Sequence, residues 1–223
     1  AISCQRIALA IRQKNLGLMH FDVASSYDHL GVLLRLLDDP GKLLQAIEYH
    51  RHALVIHEKQ FSTEHEYVAQ SCANLAVALQ TLGGQENITK AIQYYRHALA
   101  IREQQLGNEH PRVADVASNL ANVLQALGGE ENLAAALKYY LYTLVIDKKK
   151  LGEEHSSVTD GYNNLASVLQ ELGGQENLAR AINCYRHILI VYDKKLDKES
   201  LDVAACYHNL AIVLRQFGVQ ESL

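Results

Sequence analysis

The sequence predicts an all-α protein, a solenoid of antiparallel helix pairs stacked one on the next. Three observations carry that expectation. The first is self-similarity: GGQENITKAIQYYRHALAI begins at Gly83, GGEENLAAALKYYLYTLVI at Gly128 and GGQENLARAINCYRHILIV at Gly173, a step of 45 residues with no insertion or deletion. The same step links Leu30, Leu75, Leu120, Leu165 and Leu210, and also His20, His65, His110 and His155. A fixed period of this length marks a repeat array, in which each unit buries its apolar face only against its neighbours. The second is the scarcity of proline, two in 223 residues, which suits long helices because proline removes a backbone donor and clashes with the preceding turn. The third is an apolar content of 48%, enough for a packed core and too much for a disordered chain.

Each period holds two helical stretches, termed A and B here. Helix A, taken over Glu66 to Leu82, places Val68, Cys72, Leu75, Ala76, Leu79 and Leu82 at three- and four-residue spacing. Gly83-Gly84 ends it, since glycine accepts the left-handed backbone of a helix terminus. Asn87 then reads as an N-cap for helix B, which is expected from about Ile88 to Leu106 with Ala91, Ile92, Tyr95, Leu99 and Leu106 on one face. Gly107 to Pro111 breaks the pattern, and Pro111 fits the first turn of the next helix. Extended along the chain, this frame gives a lone helix B in residues 1–19, full pairs at 20–64, 65–109, 110–154 and 155–199, and a partial repeat at 200–223. Ten helices are expected in a single array, read as a piece of a longer protein.

The spacing Cys72-x-x-Leu75-Ala76-x-x-Leu79 followed by Ala91-x-x-x-Tyr95-x-x-Ala98 resembles the tetratricopeptide signature, with cysteine, alanine and leucine at three of its usual aromatic or glycine positions. His110-Pro111-Arg112-Val113-Ala114 and Asn163-Asn164-Leu165-Ala166 are similar to the long repeats of kinesin light chains, and the GGQEN segment adds about three residues to the A–B turn. The resemblance spans nearly the whole chain. It implies a right-handed α-solenoid, a tetratricopeptide-like superhelix, whose biological role is protein–protein interaction.

Little in the sequence points to chemistry. The histidines at 20, 65, 110 and 155 recur one helix pair apart, about 10 Å or more, whereas zinc ligands gather within about 2 Å of one ion. They read as polar residues at helix N-termini. There is no HExxH, no phosphate-binding glycine loop with its lysine and no GxSxG elbow. No catalytic residue, metal or cofactor is expected, and the chain is read as not an enzyme. A formal charge of −4 speaks against nucleic acid as the partner, and no apolar run is long enough to span a membrane. Four cysteines without a CxxC pair (Cys4, Cys72, Cys184 and Cys206) read as small buried hydrophobes in the reducing cytoplasm.

Helix A carries a second, polar stripe. Its copies read Ser25, His29, Val32, Leu36; Gln70, Asn74, Val77, Thr81; Asp115, Asn119, Asn122, Ala126; Asp160, Asn164, Ser167, Glu171; and Ala205, Asn209, Ile212, Gln216. With apolar flanks on both sides, this stripe is the only face left open, and in solenoids that face lines the concave binding surface. Asn74, Asn119, Asn164 and Asn209 repeat at one place, and an amide can meet the C=O and N–H of a peptide unit together. The resemblance assigns the same task to asparagines at this position; the alternative is a strut between helices. Gln70, Asp115, Asn122, Asp160 and Ser167 would supply discrimination, and Asp28, Asp115, Asp160 and Glu171 against Arg35 and Arg215 leave the groove slightly acidic. The expected function is therefore an adaptor or scaffold that binds a peptide segment of a partner protein. Two other roles fit the sequence, a regulatory or sensor region of a larger enzyme or signalling NTPase and an architectural spacer. The unpaired ends, with Ile7, Ala8 and Ile11 at one and Leu210, Val213 and Leu214 at the other, predict weak end-to-end self-association.

Overall fold

The computed structural model describes residues 1–37, 39–195 and 200–221. Among them ten α-helices and no strand occur: α1 (Ile2–Leu16), α2 (Phe21–Arg35), α3 (Pro40–Gln60), α4 (Glu66–Leu82), α5 (Gln85–Leu106), α6 (Pro111–Leu127), α7 (Glu130–Leu151), α8 (Ser156–Leu172), α9 (Gln175–Lys194) and α10 (Leu201–Glu221). The chain divides into two compact units, residues 1–119 and 120–223, the division falling in the sequence of α6. In the first, α1 packs on α2, α2 on α3, α3 on α4 and α4 on α5, and α2 also touches α4. In the second, α7 packs on α8, α8 on α9 and α9 on α10. The parts of the expected frame at 38, 196–199 and 222–223 lie outside the described residues.

Four of the five A helices begin in the same way. His20, His65, His110 and His155 precede α2, α4, α6 and α8, and each accepts through Nδ1 from the backbone N–H two residues on, at 3.1 to 3.2 Å. The backbone N–H of the same histidine bonds back to the carbonyl three residues earlier, which closes the turn. These histidines thus satisfy a helix donor that would otherwise be orphaned. The passage from A to B differs from expectation. Helix α5 starts at Gln85, with both Gly83 and Gly84 at positive φ (72° and 81°). Asn87 therefore lies inside the first turn, and its Nδ2 donates back to the Gly83 carbonyl at 2.7 Å. It serves the end of α4, where carbonyls are unpaired, and not the start of α5 as an N-cap. Asn132 and Asn177 do the same at Gly128 and Gly173. The first pair lacks the double glycine and uses Asp39, whose carboxylate accepts from the Lys42 N–H, with Pro40 opening α3.

Packing follows the repeat. Val68, Cys72, Leu75, Ala76 and Leu79 of α4 are buried, as are Ala91, Tyr95, Ala98 and Leu99 of α5. Tyr95 and Tyr140 lie at one register position and are fully enclosed. Tyr95 donates to Gln80 Oε1 at 2.9 Å and Tyr140 to Asn122 Oδ1 at 2.6 Å. Burial drives the Tyr140 phenol up to about 12, so the hydroxyl stays a donor. His50 takes this position in α3. Its Nδ1 lies 2.7 Å from Asp28 Oδ1, and its ring fills the space beside Gly31, where a Cβ would come within 2.5 Å of Nε2.

Three expectations change. Cys4 is exposed, because α1 turns that face away from α2, while Cys72, Cys184 and Cys206 are buried. Val213 is fully buried; it holds the register position of Val168, on the packed side of its helix, so it is not part of an open end. Ile7, Ile11 and Leu214 are exposed. Asp28 is buried and paired with His50 and Ser71, so it is not a free charge of the groove.

Two helix-interior glycines, Gly31 and Gly161, make different predictions. Alanine improves helix propensity by about 1 kcal/mol over glycine, but at Gly31 the new methyl group meets a buried ring, and overpacking costs about 1–3 kcal/mol. Gly31→Ala should lower the melting temperature. At Gly161 a Cβ would meet only the far end of the Leu144 side chain, at 3.1 Å, so Gly161→Ala should lower the melting temperature less than Gly31→Ala does. The reverse order would contradict the packing described.

Candidate functional site

Clefts open on the helix A stripe in both units. The first, of about 350 Å³, lies between α2 and α4 over α3. Ser25, Asp28, His29 and Val32 form one wall, Tyr67, Gln70 and Asn74 the other, and His57 of α3 stands between them. The second, of about 170 Å³, lies between α8 and α10 over α9. Thr159, Asp160 and Asn163 face Asp202, Ala205, Cys206 and Asn209, with Ile188 and Tyr192 between. The two are equivalent in register. Ser25 and Asp160, Asp28 and Asn163, His57 and Tyr192, Gln70 and Ala205, Asn74 and Asn209 are each separated by three repeat lengths.

The nine residues expected to line a groove divide between these places. Gln70 and Asn74 stand together in the first cleft, where Gln70 Nε2 donates to Asn74 Oδ1 at 2.9 Å. The partner of Asn74 is thus on its own helix and not on a neighbouring one. Asp160 and Asn209 share the second cleft. Asp115 is exposed and Asn119 half-buried on α6, and Asn164 is half-buried on α8. Asn122 is exposed, but its Oδ1 is occupied by the buried Tyr140 hydroxyl. Ser167 accepts from Gln125 Nε2 at 2.9 Å. Asn122 and Ser167 therefore also serve the packing between helices. His57, Tyr67, Tyr192 and Asp202 were not anticipated. The stripe was followed along helix A alone, and the same period applied to helix B marks His57 and Tyr192 as one position.

The floor of the first cleft is a polar chain. Ser71 Oγ donates to Asp28 Oδ2 at 3.0 Å and lies 2.9 Å from His57 Nδ1. Since the hydroxyl hydrogen goes to the carboxylate, His57 donates from Nδ1 to the serine oxygen. Burial holds the His57 pKa below the ordinary histidine value, Asp28 opposing and His65 adding to the shift. The ring is thus neutral, and its Nε2 is buried with no hydrogen-bond partner in the structure. Phe21, Phe61, His65 and Tyr67 crowd around it, with Tyr67 stacked at 5.6 Å and Phe21 tilted at 5.6 Å. The order of contacts, with a carboxylate at the centre instead of a histidine between serine and carboxylate, is not that of a nucleophilic triad. Among the described residues no group of three or more histidine, cysteine, aspartate or glutamate side chains is placed to hold a metal ion, and no helix is long and apolar enough to cross a membrane.

Comparison with known proteins supports the architecture. The tetratricopeptide repeat family model matches residues 82–131. The structure is similar to that of the nearly identical TPR-like repeats of a Podosopora anserina protein described as a kinesin light chain, with a TM-score of 0.75 and 22% identity over 91% of this chain and 90% of that one. A single-residue variant of that protein matches with a TM-score of 0.75 and 21% identity over 89% and 90%. BtubC (BKLC) from P. vanneervenii matches with a TM-score of 0.60 and 16% identity over 100% of this chain and 91% of that one. No protein of curated function matches the sequence. Repeats of this fold are, as a class, protein–protein interaction modules that work through extended surfaces.

Two histidines set a pH response. His57 and His187 both have lowered pKa values, in each case chiefly from burial, with Glu153 opposing at His187. The unfolded chain takes up protons at these sites near pH 6.5, where the folded chain does not. Stability is therefore fully present above about pH 6.5 and falls as the pH drops toward the folded values. The carboxylates held low by lysines, Glu86 by Lys90 and Glu153 by Lys148, act only at more acidic pH. The melting temperature should be lower at pH 5.5 than at pH 7.5, and His57→Gln should reduce that difference. Equal melting at both pH values would contradict the assignment.

Proposed function

Starting from a chain of tetratricopeptide-type repeats, we propose that it is an adaptor whose helix A face binds a peptide segment of a partner protein. The observation that carries this reading is the coincidence of stripe and cleft. Ser25, His29, Val32, Gln70 and Asn74 in one unit, and Asp160, Ala205 and Asn209 in the other, are stripe positions that line open clefts. The repeat frame beginning at residues 20, 65, 110, 155 and 200 is part of the same proposal. Packed helices lie about 10 Å apart and an extended peptide advances about 3.3 Å per residue, so one helix A would meet every third peptide unit. Asn74 and Asn119 in the first unit, and Asn164 and Asn209 in the second, then hold the backbone of a segment bound there, while Gln70, Asp115 and Asp160 read side chains. Asn122 and Ser167 contribute only where their internal partners release them.

A library of random twelve-residue peptides displayed on phage, panned on the whole chain, provides the probe. Binding of the selected peptides to the double variant Asn119→Ala with Asn164→Ala should fall at least tenfold, consistent with about 1–3 kcal/mol for a group left unpaired. Helicity should persist, since alanine is the better helix former. A variant that melts far lower would make the asparagines struts. A variant that folds and binds normally would place the ligand on helix B or the loops.

A further inference from the structure

The chain itself shows what the clefts accept. Arg12, His57, Arg102, Asp147 and Tyr192 hold one register position on helix B. Arg102 is buried, yet its guanidinium donates to Gln70 Oε1 at 2.8 Å and to the Arg112 carbonyl at 3.1 Å, and pairs with Glu66 at 3.2 Å. Arg12 makes the equivalent reach, donating to Ser26 Oγ at 2.6 Å and to the Asp22 carbonyl at 3.3 Å. Where the chain supplies arginine, this place is filled by its own cation. Where it supplies His57 or Tyr192, the place is an open cleft.

Both open clefts are lined by carboxylates. The first is lined by the Asp28 carboxylate. Its two hydrogen bonds, from His50 and Ser71, leave lone pairs unused on a group that can accept about four bonds. The second is lined by Asp160 and Asp202, both exposed, and among the described residues by no lysine or arginine. The first adds two features suited to a cation. His57 is 3% exposed and its Nε2 is an acceptor without a partner. The Tyr67 ring borders the same space, and an aromatic face attracts a cation at close range. A volume of about 350 Å³ stands at the lower end of ligand clefts, roughly 300–1,000 Å³, which suits one long side chain and not a cofactor.

We propose that the clefts at His57 and Tyr192 are pockets for basic side chains, arginine or lysine, presented by the partner segment. The guest cation makes at these registers the kind of pairing that Arg102 makes with Gln70 and Glu66 at its own. The inference rests on the peptide-binding reading above and adds to it the charge of the ligand.

The phage-selected peptides test it. Arginine or lysine should recur among them. In a synthetic copy, replacing that residue by glutamine should weaken binding to the unaltered chain at least tenfold by fluorescence anisotropy. Asp28→Asn, or Asp160→Asn with Asp202→Asn at exposed positions should the buried variant fail to fold, should abolish the difference between the two peptides. Peptides that depend on Asn119 and Asn164 yet tolerate glutamine would overturn the basic pocket and leave the groove standing. A charge preference that survives both sets of carboxylate variants would overturn it too. If no selected peptide responds to the asparagines or the carboxylates, both readings fall.

Discussion

Neither helix of a pair owns a core, and the architecture depends on that sharing. Val68, Leu75 and Leu79 of α4 are fully buried because α3 and α5 both pack on that helix. Burying one such side chain contributes about 1.5–3 kcal/mol, but only when the neighbour is present at the right depth. The enclosed Tyr95 and Tyr140, and His50 seated on Gly31, set that depth by pairing a large helix B ring with small helix A residues. Because the flanks of helix A are consumed in this way, its remaining edge is the one that stays open.

Polar groups then mark the places where the repeat is not followed. At the positions of His50 and His57 the next pair carries Tyr95 and Arg102, and at those of Asp28 and Ser71 it carries Ala73 and Val116. A buried chain of four hydrogen-bonding side chains is costly unless every member is satisfied, and the Nε2 atoms of His50 and His57 are not. The departure from the repeat, the unsatisfied ring nitrogens and the larger of the two clefts coincide, and that coincidence gives the first cleft its claim to specificity. The double-glycine turns show the opposite behaviour. They are kept in three pairs, each with an asparagine folded back on the glycine carbonyl.

The helices were legible because a period of 45 residues carries both the apolar spacing and its breaks; α4 runs from Glu66 to Leu82 as read. The role of the recurring histidines was half legible. Their place before helix A was plain, but the Nδ1 cap is a matter of rotamer that spacing does not encode. Asn87 was misread because a cap is defined by where the backbone enters the helix, and two glycines at positive φ let α5 begin at Gln85. Asp28 was read as a free charge because its partners, His50 and Ser71, lie on two other helices. Of the clefts, the helix A walls were legible and the helix B floor was not, since the stripe was traced along one helix at a time.

Shared burial between neighbouring pairs is the central claim, and shortening the array tests it most directly. Thermal unfolding of residues 1–154, followed by far-UV circular dichroism beside the whole chain, removes α8 to α10 and uncovers the face of α7 on which α8 packs. The account predicts a helical spectrum with a clearly lower melting temperature, since stability is a sum over repeats and their interfaces. A melting temperature equal to that of the whole chain would contradict it.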